Sequence, residues 1–293
     1  MQNNITILLL GRTGLLGNKV FTELKKIKKL SLIKTQRSSK SSNNYLDVIN
    51  EPKNISHILN ENKDINYVIN CIGITQSELK KYSVEDAKIL ARKINTEFPH
   101  TLCYETKKRN IKVIHISTDA VFSGRKGPYH ELSQVDPVDI YGKSKFLGEC
   151  SEKNFLNIRC SIIGPDEIKK NGLFEWFKSR NHNSIVKGFT NHLWNGITTK
   201  QFSDLCRLII EKNVFSKITD LSPILHISIN QAISKYELLK IFNETLGKDI
   251  RIEPIRDVQD VNRVLISKYK IINDIYTHNY NKPSWKDLVK EMV

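Results

Sequence analysis

Ile5-Thr-Ile-Leu-Leu-Leu10 runs directly into Gly11-Arg-Thr-Gly14-Leu-Leu-Gly17. The apolar run is short and stopped by glycine, so it reads as a buried strand. After it, Leu16, Val20, Phe21, Leu24 and Ile27 recur at helical spacing as far as Lys29. A glycine turn between a strand and a helix is the context that makes it a dinucleotide signal. Glycine lets the backbone approach a pyrophosphate closely, and the helix start offers free N–H groups and partial positive charge. Gly11, Arg12, Thr13, Gly14, Leu15, Leu16 and Gly17 are therefore candidate cofactor contacts. An ordinary glycine turn is the alternative, and the flanking strand and helix weigh against it.

The same alternation continues outward. Leu30–Thr35 reads as a second strand, Ile55–Leu59 as a helix and Tyr67–Ile72 as a strand. A long helical stretch from about Val84 to Arg109 precedes a strand at Val113–Ser117. Alternating strands and helices imply right-handed crossovers and a parallel sheet covered on both faces. The expected fold class is α/β: a Rossmann-type doubly wound parallel sheet with a smaller C-terminal substrate-binding lobe. Past Ile163 the texture changes, with turn signals at Gly164-Pro165, Asn171-Gly172 and Asn195-Gly196, and Phe174, Trp176, Phe177 and Trp194 close by. The expected division is residues 1–163 for nucleotide binding, with a segment around 190–230 returning to it, and 164–293 mainly for substrate. Leu225–Ile229 reads as a late strand and Lys235–Leu246 as a helix. Ser38-Ser-Lys-Ser-Ser42 reads as a surface loop.

A chain of 293 residues can bury a sizeable core. No apolar run approaches the length of a membrane span, and the first four residues lack the pattern of a secretory signal; the expectation is a cytoplasmic protein with no membrane insertion. Five cysteines, widely spaced and without a CxxC pair, suggest free thiols rather than a disulfide framework or a zinc site, so no metal is expected. The formal net charge of +15 is spread over scattered lysines. That argues for a solvated lysine surface, mildly attractive to doubly charged ligands, and against nucleic acid as a partner.

The end of the second strand bears on which nicotinamide is used. Acid there suits the ribose 2′-hydroxyl and arginine suits a 2′-phosphate. The segment Lys34-Thr-Gln-Arg37 has no acid, and Arg12 lies within the glycine turn. NADPH is favoured and NADH remains possible; either arginine could instead be a surface residue. Asp47 and Val48 are placed to cap the adenine, or simply to lead into a helix.

Tyr141 and Lys145 stand one helical turn apart, downstream of Ser117-Thr118-Asp119. Tyrosine alone is a poor acid, but a nearby ammonium favours tyrosinate. A phenol so tuned can protonate a carbonyl oxygen as hydride reaches its carbon. Thr118, at a strand end, would hydrogen-bond the same oxygen, and Lys145 could also hold ribose hydroxyls. A Tyr-x-x-x-Lys spacing is common on helix surfaces; the preceding Ser-Thr-Asp strand makes this one specific.

His115-Ile-Ser-Thr-Asp-Ala-Val-Phe-Ser-Gly124, Gly127-Pro-Tyr-His-Glu131, Pro137 and Tyr141-Gly-Lys-Ser-Lys145 through Gly148-Glu149 resemble the extended short-chain dehydrogenase/reductases. Within these the chain is most similar to the dTDP-4-dehydrorhamnose reductase branch, specifically from Ile5 to about Cys160 and more loosely to Trp285. The resemblance implies reduction of the 4-keto group of a nucleotide-linked deoxysugar in building surface polysaccharide. It implies Thr118, Tyr141 and Lys145 as the catalytic set, Cys71, Ile72, Gly73 and Ser117 along the cofactor, and Asn95 as a structural or active-site asparagine. Two stretches depart from the branch: Arg159-Cys-Ser-Ile-Ile-Gly164 lacks its aromatic, and Lys187–Thr199 differs, so the reaction class transfers better than the sugar. Thr75, Asn171, Lys187 and Trp194 are candidate substrate contacts, Trp194 equally a core aromatic. An epimerase or epimerase/reductase on the same fold, or a non-catalytic NADP-binding regulatory subunit, stay open, as does a homodimer.

Overall fold

The computed structural model describes residues 4–37, 40–280 and 282–293. Of the serine-rich stretch predicted as a loop, Ser38 and Ser39 lie outside these residues, as do the first three residues of the segment read for a secretory signal. Five strands are β1 (Ile5–Leu10), β2 (Leu30–Lys34), β3 (Ile65–Asn70), β4 (Lys112–Ile116) and β5 (Phe155–Arg159). With Ile224–His226 they form one six-stranded sheet in the order Ile224–His226, β5, β4, β3, β1, β2. Every pairing in it is parallel.

Both faces of the sheet are covered, and the alternation of side chains decides which residue goes where. Ile7, Leu9, Ile69, Ile114 and Ile158 pack with Phe202, Leu205 and Ile209 from the helix Thr199–Glu211. Leu8, Leu10, Val68, Val113 and Phe155 pack with Ile55, Ile58, Phe98 and Leu102. This is the doubly wound α/β arrangement predicted, and burial on both faces explains why β1 reads as an unbroken apolar run. A third apolar cluster joins Phe174, Phe177, Trp194, Leu238, Phe242, Trp285 and Leu288.

Two elements differ from expectation. The first helix, α1 (Leu15–Leu24), stops before Lys29. The chain must turn within Lys25–Lys29 so that Leu30 can pair with Ile5, and that lysine-rich stretch gains nothing from prolonging a helix of like charges. The long helix at 84–109 is three pieces: Val84–Ala91, a widened π turn Arg92–Glu97, and Phe98–Lys107. Pro99 has no N–H for the Asn95 carbonyl one turn back, so the ladder loosens there. A Cβ on Gly148 would lie 1.9 Å from that carbonyl oxygen, so only glycine lets the end of helix Ile140–Leu147 pack there.

Candidate active site

The strand order reverses between β2 and β3 around β1, the place where open parallel sheets leave a crevice at their carboxyl ends. A cavity of about 800 Å³ opens there. Its walls come from the segments leaving β1 (Gly14, Leu15, Leu16), β3 (Cys71, Ile72, Gly73, Thr75), β4 (Ser117, Thr118) and β5 (Cys160, Ser161). Residues far apart in the chain meet because parallel strands all end on one edge.

At the β1 end the backbone is crowded. Gly11 has φ +82°, and a Cβ there would meet the Cys71 carbonyl carbon and the Ile72 nitrogen at 2.9 Å. A Cβ on Gly17 would lie 2.2 Å from the Gly11 oxygen. Gly14 occupies the cap position of α1 without a side chain to cap it, leaving the first-turn N–H groups for a ligand. Arg12 turns its guanidinium over the Phe21 ring, 4.4 Å from the centroid, and its buried Nε has no partner. The close turn, the uncapped helix start and the orphaned guanidinium N–H fit a dinucleotide phosphate. Arg37 lies 3.7 Å from Asp47. Asp47 itself is engaged by the backbone N–H groups of Ile49 and Asn50 and by the Asn50 amide, and Val48 packs against the core.

Tyr141 is the second residue of the helix Ile140–Leu147, whose start is capped by Asp139 accepting from the Gly142 N–H at 2.7 Å. Gly142 sits so close to the Ala120 carbonyl that a Cβ would stand 2.1 Å away, which brings Tyr141 beside Thr118. Burial pushes the Tyr141 phenol up to about 12, and a side-chain hydrogen bond with Thr118 opposes it. The expectation of a phenol drawn down by Lys145 is not met here: loss of hydration raises it, the Asp119 and Asp139 carboxylates raise it further, and the opposing group is Thr118. Lys145 is 3 % exposed. Its Nζ donates to the Ile116 carbonyl at 2.6 Å, burial pulls it down to about 8, and Glu149 opposes that fall. The Thr118 hydroxyl accepts from the Ala120 N–H at 3.1 Å and donates toward Asp119 at 3.3 Å.

Of the predicted substrate contacts, Thr75 and Asn171 line the cavity. Thr75 also caps the helix Gln76–Leu79. Lys187 and Trp194 are elsewhere. Lys187 is exposed on the strand Ile185–Phe189. Trp194 is 4 % exposed and stacks at a tilt on Trp285, ring centres 5.4 Å apart. Trp194→Ala is accordingly expected to cost about 3–5 kcal/mol of stability, read as a fall in the denaturation midpoint; an unchanged midpoint would place the ring outside the core. Asn95 stands behind the cavity, its amide bridging the Ile74 N–H and C=O and reaching Ser144, each at 3.0 Å. It braces the floor of the site.

Sequence reading missed Asp119, Cys160, Lys169, Trp176 and Arg263, which also line the cavity. Asp119 directly follows Thr118 and could have been found. Burial raises its carboxyl, while Arg263 and Lys235 pull it back. Arg263 arrives from a distant segment with no local signal. Lys169 reaches across to Glu78 at 3.5 Å. Among the described residues no group of His, Cys, Asp or Glu could hold a metal, and no helix is long and apolar enough to cross a membrane.

Comparison with known proteins adds to this geometry. The chain is 25% identical to methionine adenosyltransferase 2 subunit beta from Bos taurus over 251 residues, 80% of this chain and 70% of that one. It is 24% identical to dTDP-4-dehydrorhamnose reductase from Sinorhizobium fredii over 217 residues, 68% and 71% of the two chains. Among solved structures, a dTDP-4-dehydrorhamnose reductase from Clostridium acetobutylicum superposes with a TM-score of 0.76 at 22% identity, covering 98% of both chains. The Bacillus anthracis dTDP-4-dehydrorhamnose reductase in complex with NADP gives the same TM-score at 19% identity and the same coverage. The sequence matches the family described as RmlD substrate binding domain from residue 5 to residue 293, and the chain belongs to that family.

Proposed function

We propose that this protein uses NADPH to reduce the 4-keto group of a nucleotide-linked deoxysugar, in the supply of sugars for surface polysaccharide. The observation that carries the reading is the meeting of Thr118, Tyr141 and Lys145 at one cavity whose far end is the glycine turn of β1. A reduced nicotinamide, when bound, supplies the hydride. Tyr141 gives its proton to the carbonyl oxygen as negative charge develops there, and Thr118 hydrogen-bonds the same oxygen. Lys145, fixed at the Ile116 carbonyl, supports the tyrosinate left behind and is within one helical turn of it. Gly11, Thr13, Gly14, Leu15, Leu16 and Gly17 hold the pyrophosphate, and Cys71, Ile72 and Gly73 pass beneath the cofactor. Lys80 and Lys169 on the cavity wall offer positive charge to the sugar diphosphate.

NADPH over NADH rests on Arg12 and Arg37. Replacing both by alanine is expected to weaken NADPH binding by about tenfold or more, the loss of a charge-assisted contact, and to leave NADH binding unchanged. Titration of the purified protein with each nucleotide checks this; equal losses for both would remove the arginines from 2′-phosphate recognition.

The reductase reading is tested by following NADPH absorbance with a panel of dTDP- and UDP-linked 4-keto sugars. One NADPH consumed per sugar reduced supports it. Product without net NADPH loss would mean epimerisation. The likeness to methionine adenosyltransferase 2 subunit beta favours a second reading, a subunit that keeps the nucleotide fold to serve a partner enzyme. Tight NADPH binding with no turnover on the whole panel would move the conclusion there. Retention of Tyr141 favours catalysis, since a subunit without chemistry needs no proton donor, whereas Lys145 would serve cofactor binding on either reading.

A further inference from the structure

Behind the catalytic helix lies a buried polar cluster that the reaction as described does not use. Glu149 lies just past the end of the helix that carries Lys145, and it and Arg159 are each only 4% exposed in their side chains. Glu149 Oε1 accepts from the Ser117 hydroxyl at 2.6 Å and from Arg159 Nε at 2.8 Å, and Oε2 accepts from Arg159 Nη2 at 2.7 Å. The remaining face of the guanidinium lies over the Phe122 ring, 5.3 Å from its centroid, with Nη1 at 3.4 Å from His226 Nε2. His226 is held in turn at 3.2 Å from the carbonyls of Tyr129 and Ile266.

A buried ion pair kept only for stability would be replaceable by apolar side chains of similar volume. This one has two attachments to the site. Ser117 follows the last residue of β4 and immediately precedes Thr118, so a carboxylate gripping Ser117 fixes where the Thr118 hydroxyl is delivered. The second attachment is electrostatic. Lys145 has the Ile116 carbonyl as its hydrogen-bond acceptor, a dipole and not a charge. The other titratable groups that act with it are Cys71 after β3, His115 on β4 and Cys160 after β5, and the Tyr141 phenol lines the same cavity. Burial keeps those two thiols, the imidazole and the phenol in their neutral forms. Glu149, clamped by Arg159, is the carboxylate among the groups that act on Lys145.

We propose that Glu149 is a positioning residue for the reaction: held by Arg159, it sets the Ser117–Thr118 strand end and keeps Lys145 in its charged form at the Ile116 carbonyl. Its effect on turnover rests on the reading of Lys145 given above; its effect on the lysine does not.

The test follows Lys145 directly, by NMR titration of protein carrying ¹³C-labelled lysine, with Lys145→Arg to assign the resonance. Beside it runs the pH dependence of kcat/KM. Burial pulls Lys145 down to about 8 in wild type, so its midpoint is expected there. Glu149→Gln is expected to lower that midpoint by about one pH unit or more, since a carboxylate partner is lost in a buried setting. The alkaline limb of kcat/KM moves to lower pH with it, and Glu149→Asp restores most of both. Because Glu149→Gln leaves Arg159 buried and unpaired, the variant Glu149→Gln with Arg159→Met carries the test if the single change does not fold. It removes both charges, and the midpoint is again expected to fall. A folded variant in which Lys145 titrates as in wild type overturns the proposal, leaving the pair a structural element. A lowered lysine midpoint in a protein whose wild type reduces no nucleotide sugar sustains the positioning and sinks the reductase reading instead.

Discussion

Tyr141→Phe is expected to bind NADPH as tightly as wild type and to lose about 10²- to 10⁴-fold in kcat, the range for removal of a positioned general acid. The ring is retained, so the packing that buries residue 141 beside Thr118 survives, and what is lost is the hydroxyl with its proton and its hydrogen bond to Thr118. Because burial above all, with the Asp119 and Asp139 carboxylates beside it, holds this phenol up to about 12, the proton is in place before substrate arrives. In the reaction proposed above it would leave only as the environment came to favour the anion, with the ammonium of Lys145 and the Thr118 hydroxyl in support. Steady-state kinetics combined with nucleotide titration separates the two effects. Unchanged kcat would remove Tyr141 from proton transfer.

Gly17→Ala is expected to cost at least about 3 kcal/mol of stability, the upper end of overpacking penalties. The new Cβ would meet the Gly11 oxygen at 2.2 Å, the Gly11 carbonyl carbon at 2.7 Å and Arg12 Cα at 3.1 Å. All three are backbone atoms, so no rotamer relieves the contact. Relief requires α1 to move off β1, which opens the phosphate turn and weakens NADPH binding together with stability. Gly14→Ala separates the two effects. Its Cβ would have only an ordinary 3.5 Å contact with the Gly11 oxygen, but Gly14 faces the cavity. That variant is expected to denature close to wild type while binding NADPH less tightly. Equal stability of the Gly17 variant and wild type would mean that the approach of α1 to β1 is looser than the geometry here.

Much of the fold is legible in the sequence because its signals are local. The β1 run, the glycine turn and the helical spacing of α1 lie within one stretch, and each limits the others. The Thr118, Tyr141 and Lys145 set is legible for a related reason. Thr118 follows the end of a strand, Tyr141 and Lys145 share a helix, and parallel strands end together. The Trp194 and Lys187 positions were beyond such reasoning. Whether an aromatic near a turn faces a ligand or another tryptophan depends on Trp285, far along the chain. Arg263 was missed on the same grounds, since nothing around it signals that its segment returns to the cavity. The shortened α1 and the widened turn at Arg92–Glu97 mark where chain reversal and Pro99 override periodicity.

The central claim is that a nicotinamide ring and a sugar carbonyl meet between Thr118, Tyr141 and Lys145. A crystal structure of the protein with NADP tests it most directly. The account predicts the pyrophosphate on the Gly11–Gly17 turn, the nicotinamide ring along Cys71–Gly73, and the Tyr141 hydroxyl and Lys145 amine both turned to its reactive face. A nucleotide bound elsewhere, or a ring whose reactive face meets neither side chain, would contradict it.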